Sequence, residues 1–166
     1  MASYALCCAA GAVTLPQAPA DGSALSDLDR ESFQCRSADR HTQCRRPGKA
    51  ADRIESEPVT EIVLFYRDDQ LVRTVFAFNE AHLDQVVKQI SQRLYEPVAE
   101  SEALKAGMGG VFENRYFIWK KDGRAWLVEQ FFERITDSAL WSMSERELEA
   151  LLAEREQQRV RGARDL

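Results

Sequence analysis

Thr60-Glu-Ile-Val-Leu-Phe-Tyr-Arg-Asp-Asp-Gln-Leu-Val-Arg-Thr-Val-Phe-Ala-Phe78 is the stretch that decides the fold. Its first half, Glu61 to Tyr66, consists largely of β-branched and aromatic residues, the types that pack well on a pleated surface. Asp68-Asp69 marks a turn, because aspartate tolerates turn backbone and hydrogen-bonds locally. From Leu71 the chain alternates, which puts Val72, Thr74, Phe76 and Phe78 on one face and Arg73 on the other. Two strands joined by so short a turn pair antiparallel.

C-terminal to this hairpin, Asn79 is placed to cap a helix, since its side chain can accept a bond from an early backbone N–H. Leu83, Val86, Val87, Ile90 and Leu94 then recur on one helical stripe, and Pro97 stops it. Residues 98–110 read as a loop ending Gly107-Met-Gly109-Gly110. Val111 to Lys120 and Arg124 to Phe132 read as strands about Asp122-Gly123, a pair that suits a two-residue type I′ turn and sets Trp119 opposite Trp126. Ala139 to Met143 is expected to be a last, edge strand. Ser144-Glu-Arg-Glu147 matches a capping box and opens a helix with Leu148, Leu151 and Leu152 inward. Beyond that stripe, 154–166 read as a charged tail.

N-terminal to the hairpin, Phe33-Gln-Cys35-Arg36 and Thr42-Gln-Cys44-Arg45 flank a polar turn, and a hairpin tied by a Cys35–Cys44 disulfide is expected. Residues 13–32, with Pro16, Pro19 and Gly22, read as a disordered linker. Pro47, Gly48 and Pro58 bracket a second polar linker. Residues 1–12 are uncharged and small, ending Ala10-Gly11-Ala12 in the form signal peptidase cuts after, and are read as a signal-peptide remnant. The expectation is a single α+β domain over 33–153. It holds an antiparallel sheet of about five to seven strands, one long amphipathic helix on a face, and a second, C-terminal helix.

The 166 residues are 45% hydrophobic and 30% charged, a globular composition. A net charge of −5 argues against nucleic acid as a partner. The apolar runs are too short for a transmembrane segment. Arg36, Arg40, Arg45, Arg46, Lys49 and Arg53 face only Asp39 and Asp52 nearby in sequence, which reads either as a basic patch or as a solvated hairpin and linker.

Catalytic signatures are sparse. His41 and His82 are the two histidines, and no Gly-x-Ser-x-Gly elbow is present. The glycine stretch at 107–110 lacks the Lys-Ser/Thr of a P-loop, and no βαβ dinucleotide fingerprint exists. No cofactor is expected. Two chemical alternatives stay open. Cys35, His41 and Cys44, with Cys7 or Cys8, supply soft ligands for a cytosolic zinc-binding adaptor. Glu113, Glu129 and Glu133 supply carboxylates for a small hydrolase. The aromatics suggest a third possibility. Both faces of the second hairpin carry large apolar groups, so either the helix from 144 covers the far face, or Tyr116, Phe117, Trp119 and Trp126 form a partner surface.

The order of a Cys…Cys hairpin, two strands, a helix ending near Tyr95-Glu-Pro97 and a Trp-bearing hairpin at Asp122-Gly123 resembles small exported bacterial proteins, often expected in the periplasm. The likeness spans about residues 33–143. It implies location and architecture and brings no activity. The resulting expectation is a non-enzymatic periplasmic domain that binds another protein or an envelope component, with cytoplasmic residence the alternative.

Overall fold

The computed structural model describes residues 12–105 and 110–164. Ten strands and two α-helices follow one another in the described chain: β1 (Gln34–Ala38), β2 (His41–Pro47), β3 (Arg53–Ile54), β4 (Glu57–Pro58), β5 (Glu61–Arg67), β6 (Gln70–Asn79), α1 (Leu83–Arg93), β7 (Val98–Lys105), β8 (Val111–Lys121), β9 (Arg124–Glu129), β10 (Asp137–Ser144) and α2 (Glu145–Arg164). Eight of the strands form one sheet in the order β1-β2-β5-β6-β10-β9-β8-β7, and every neighbouring pair is antiparallel. The remaining two, β3 and β4, make a small ribbon.

The hairpin over 60–78 is β5–β6, and a bulge at Phe65/Tyr66 changes its pattern. Because of the bulge Leu71, not Val72, joins Phe76 and Phe78 in the core. Asn79 caps as expected: its side chain accepts a bond from the Ala81 N–H at 2.9 Å, and a single 3-10 turn precedes α1. Trp119 and Trp126 are directly paired across β8 and β9, around a turn in which Asp122 and Gly123 both have positive φ. Cys35 and Cys44 are paired in register and joined by the disulfide.

Alternation gives the sheet two buried faces. On one, Leu64, Phe76, Phe78, Trp119, Val128 and Leu140 pack under Leu83, Val86 and Ile90 of α1. On the other, Val63, Val75, Leu127, Trp141 and Met143 pack under Leu148 and Leu151 of α2. Both layers are needed because the central strands are apolar on both sides.

Several expectations are corrected. Residues 13–32 are a docked strap, not a disordered linker. Backbone bonds tie Gly22 N–H to Leu71 O at 2.8 Å, Leu71 N–H to Ser23 O at 2.9 Å and Leu25 N–H to Asp69 O at 2.8 Å, while Leu25 and Leu28 enter the core. The ribbon at 53–58 is likewise attached. Gln89 of α1 donates to Ser56 Oγ at 2.6 Å, and His82 Nδ1 lies 2.7 Å from Glu57 Oε2. Residues 98–105 form the strand β7. β10 is no edge strand, since β6 and β9 flank it. The sheet has one strand more than the upper expectation. The charged tail is helical to Arg164. The signal-peptide reading, with Cys7 and Cys8, falls on residues outside those described, Ala12 apart, and so do residues 106–109.

Candidate ligand cleft beside the C-terminal helix

The helix α2 crosses the sheet toward β8 and leaves part of the same face open over β1, β2 and β5. A cleft of about 460 Å³ lies there. Arg36, His41 and Gln43 line it from the β1–β2 hairpin, Phe65 and Arg67 from β5, Arg73 from β6, and Glu154 of α2 closes one side. The register explains the convergence. Arg36 pairs with Gln43, Gln43 with Phe65, and Phe65 with Arg73, so one cross-strand row supplies four lining side chains.

The cleft is cationic on balance. Arg67 donates two bonds to Glu147, at 3.0 and 2.9 Å, and Arg73 Nε donates to the same carboxylate at 2.5 Å. The second Arg73 nitrogen reaches Glu154 at 3.3 Å. Three arginines thus stand against two carboxylates, and Arg36 makes no ion pair among the described residues. Glu147 belongs to the predicted capping box. Its N–H is capped by Ser144 Oγ at 3.2 Å, while its carboxylate serves the two arginines instead of reaching back. Phe65, stacked on Trp141 with ring centroids 5.7 Å apart, gives the cleft an apolar wall.

The rest of the basic run from Arg36 to Arg53 is largely neutralised. Arg40 pairs with Asp68 at 2.5 Å, Arg45 with Glu61 and Glu133, and Arg46 with the buried Asp52 at 2.6 Å. Arg46 beside it holds the Asp52 carboxyl below the usual range. A broad basic patch is therefore not formed.

A second polar cluster lies under α2. Trp141 Nε1 donates to Glu129 at 3.0 Å, and Arg155 reaches the other carboxylate oxygen at 2.8 Å. The Arg155 guanidinium stands 5.4 Å from the ring centres of both Tyr116 and Trp141. Tyr116 donates to Glu102 and accepts from Asn114 at 2.8 Å. Burial pushes the Glu129 carboxyl up, against the pull of Arg155, and burial with the adjacent Glu102 pushes the Tyr116 phenol up.

Of the carboxylates considered for a hydrolase, Glu129 is paired with Tyr116 and faces α2. Glu113 lies three residues before Tyr116, so it projects from the opposite face, exposed. Glu133 is bound to Arg45, which holds its carboxyl low. The three do not converge. The zinc reading is overturned because Cys35 and Cys44 are consumed by the disulfide. Among the described residues no group of three metal-ligating side chains comes together.

The expected aromatic partner surface is also corrected. Trp119 is fully buried and Trp126 is 9% exposed, both in the core beneath α1 and the strap. Trp119 donates to the Tyr95 carbonyl at 2.8 Å. Tyr116 lies on the opposite face under α2, and Phe117 is half-buried against the α1 core. The structure takes the other alternative the sequence offered: α2 covers the far face with Tyr116, and α1 with the strap covers Trp119 and Trp126.

The sequence singles out Arg36 and His41 for other roles and does not bring them together with Phe65, Arg67 and Arg73. Arg67 and Arg73 are the available signal: they are charges set into the most apolar hairpin of the chain, and Arg73 is only 9% exposed. Comparison with protein-family models, with curated proteins and with solved structures finds no match.

Proposed function

We propose that this chain is a non-enzymatic binding domain of the bacterial cell envelope, working in the periplasm, and that the cleft beside α2 holds an acidic segment of a partner protein. The observation that carries the reading is Arg36, which lines the cleft with no carboxylate partner among the described residues, next to Arg67, Arg73 and His41. A carboxylate entering the cleft meets guanidinium donors that recognise it in planar, paired geometry. An apolar side chain beside that carboxylate finds the wall of Phe65. The disulfide supports an oxidising compartment, where such bonds persist. No helix among the described residues is long and apolar enough to cross a membrane.

The test is calorimetric titration with an acetylated pentapeptide of alternating Asp and Phe, with a Lys/Phe peptide as control. The acidic peptide binds, and more weakly as salt rises. Arg36→Ala weakens it about tenfold, equivalent to about 1.4 kcal/mol, the scale of one charge-assisted contact. Equal affinity for both peptides contradicts the assignment.

A further inference from the structure

The sheet ends in two open edges. Among the described residues no strand pairs with the outer side of β1 or of β7. All five residues of β1 are exposed, and so are Val98 to Ala103 of β7. Both end strands thus project past the layers that cover the rest of the sheet. Exposed backbone of this kind is a template for another strand.

Two features make the edges complementary to each other. The first is direction. The sheet has eight strands with every neighbouring pair antiparallel, so β1 and β7 run in opposite senses. A second copy placed with its β1 beside the first copy's β7 continues the antiparallel alternation, with the same face of the sheet upward. The second is charge. Cross-strand partners share a face, and the succession of pairs leads from Gln34 to Val98. Arg36, two residues from Gln34, therefore projects on the same face as Glu100, two residues from Val98. With Arg36 opposite Val98, the carboxylate of Glu100 lies on its diagonal, within reach of so long a side chain. That register also covers Val98, which is 59% exposed. Like pairings are disfavoured: β7 against β7 brings Glu100 and Glu102 of both copies together, and β1 against β1 brings the two Arg36 side chains together.

We propose that copies of this chain associate head to tail, β7 of one copy adding to the β1 edge of the next. The contact is heterologous, so it closes a ring or continues as a filament and does not stop at a two-fold dimer. A single strand pairing buries little surface, and the association is weak and salt-sensitive.

Sedimentation velocity of the full chain over a concentration series, at low and high salt, tests this. At low salt the average mass rises with concentration past that of a dimer, and high salt suppresses the rise. Arg36→Glu and Glu100→Arg each remove it, and the two together restore at least half of it. Glu100 stands outside the cleft, so Glu100→Arg still binds the acidic pentapeptide, which separates failure of this assembly from failure of the cleft assignment. Circular dichroism melts establish that each variant is folded. A monomer at every concentration overturns the proposal, as does a plateau at dimer or a rise that both single variants leave unchanged. An acidic peptide that protects the β1 amides of a chain remaining monomeric gives that edge to another protein and also overturns it.

Discussion

Arg155, more than two turns into α2, reaches back 2.8 Å to the carboxylate of Glu129, a residue 4% exposed on the sheet beneath. The pair fixes the distal half of α2, whose later residues carry no continuous apolar stripe, and it is the one ion pair that Glu129 makes among the described residues. Arg155→Ala leaves the carboxylate buried against Trp141 alone. Urea unfolding at neutral pH is expected to show a loss of about 2 kcal/mol, below the roughly 3–5 kcal/mol of a wholly buried pair because Arg155 is partly solvated. Glu129→Gln in the same background recovers most of that loss, since an amide oxygen still accepts from Trp141.

Glu129 also sets a pH dependence. Its carboxyl titrates above the ordinary range in the fold, so the native state holds a proton that the unfolded chain releases. Its contribution is most favourable below the ordinary carboxylate pKa and is lost as pH rises through the raised one. Stability of the native chain relative to Glu129→Gln is expected to fall over that window, measured by urea midpoints. A flat difference contradicts the burial argument.

Asp52 behaves in the opposite sense. Its carboxyl is held low by Arg46, so the stability it contributes is present above the ordinary carboxylate pKa and is lost as pH falls through the lowered one. Asp52→Asn is expected to cost about 2–3 kcal/mol at neutral pH, because Arg46 then stays buried without its counter-charge. The gap between variant and native chain narrows in acid, which thermal melts across pH resolve.

Trp119 tests the correction of the aromatic surface. It is fully buried, so Trp119→Ala is expected to cost about 3–5 kcal/mol in denaturant unfolding. A fully stable variant that fails only in binding restores the surface reading.

Gly48 has a different reason to be small. A Cβ there falls 1.9 Å from the Val59 carbonyl oxygen, where Gly48 N–H bonds Thr60 O at 2.8 Å. Gly48→Ala is expected to destabilise by about 3 kcal/mol, read from the urea midpoint, since both sides of the clash are backbone.

These residues mark where the sequence is legible. β5, α1 and the β8–β9 hairpin announce themselves because each buries an apolar face at a regular period, or turns on Asp122-Gly123. The disulfide is readable from two cysteines in matching contexts. The strap at 13–32 has no period, for it docks through backbone bonds to β6 and through irregularly spaced apolar residues, Leu25 and Leu28 buried with Val13, Leu15 and Ala18 packed beside them. β7 is exposed on both faces along the residues whose burial is described, so no alternation betrays it. The far half of α2 is anchored by a guanidinium, invisible to a search for apolar stripes. The cleft draws on four strands and α2, a convergence that only the register reveals.

The measurement that bears most directly on the cleft is a titration of ¹⁵N-labelled protein with the Asp/Phe pentapeptide, followed by amide shifts. Saturable changes centred on Arg36, His41, Gln43, Phe65 and Arg67, and lost in Arg36→Glu, are the predicted result. Changes scattered over the surface, or centred on another part of the sheet, contradict the assignment.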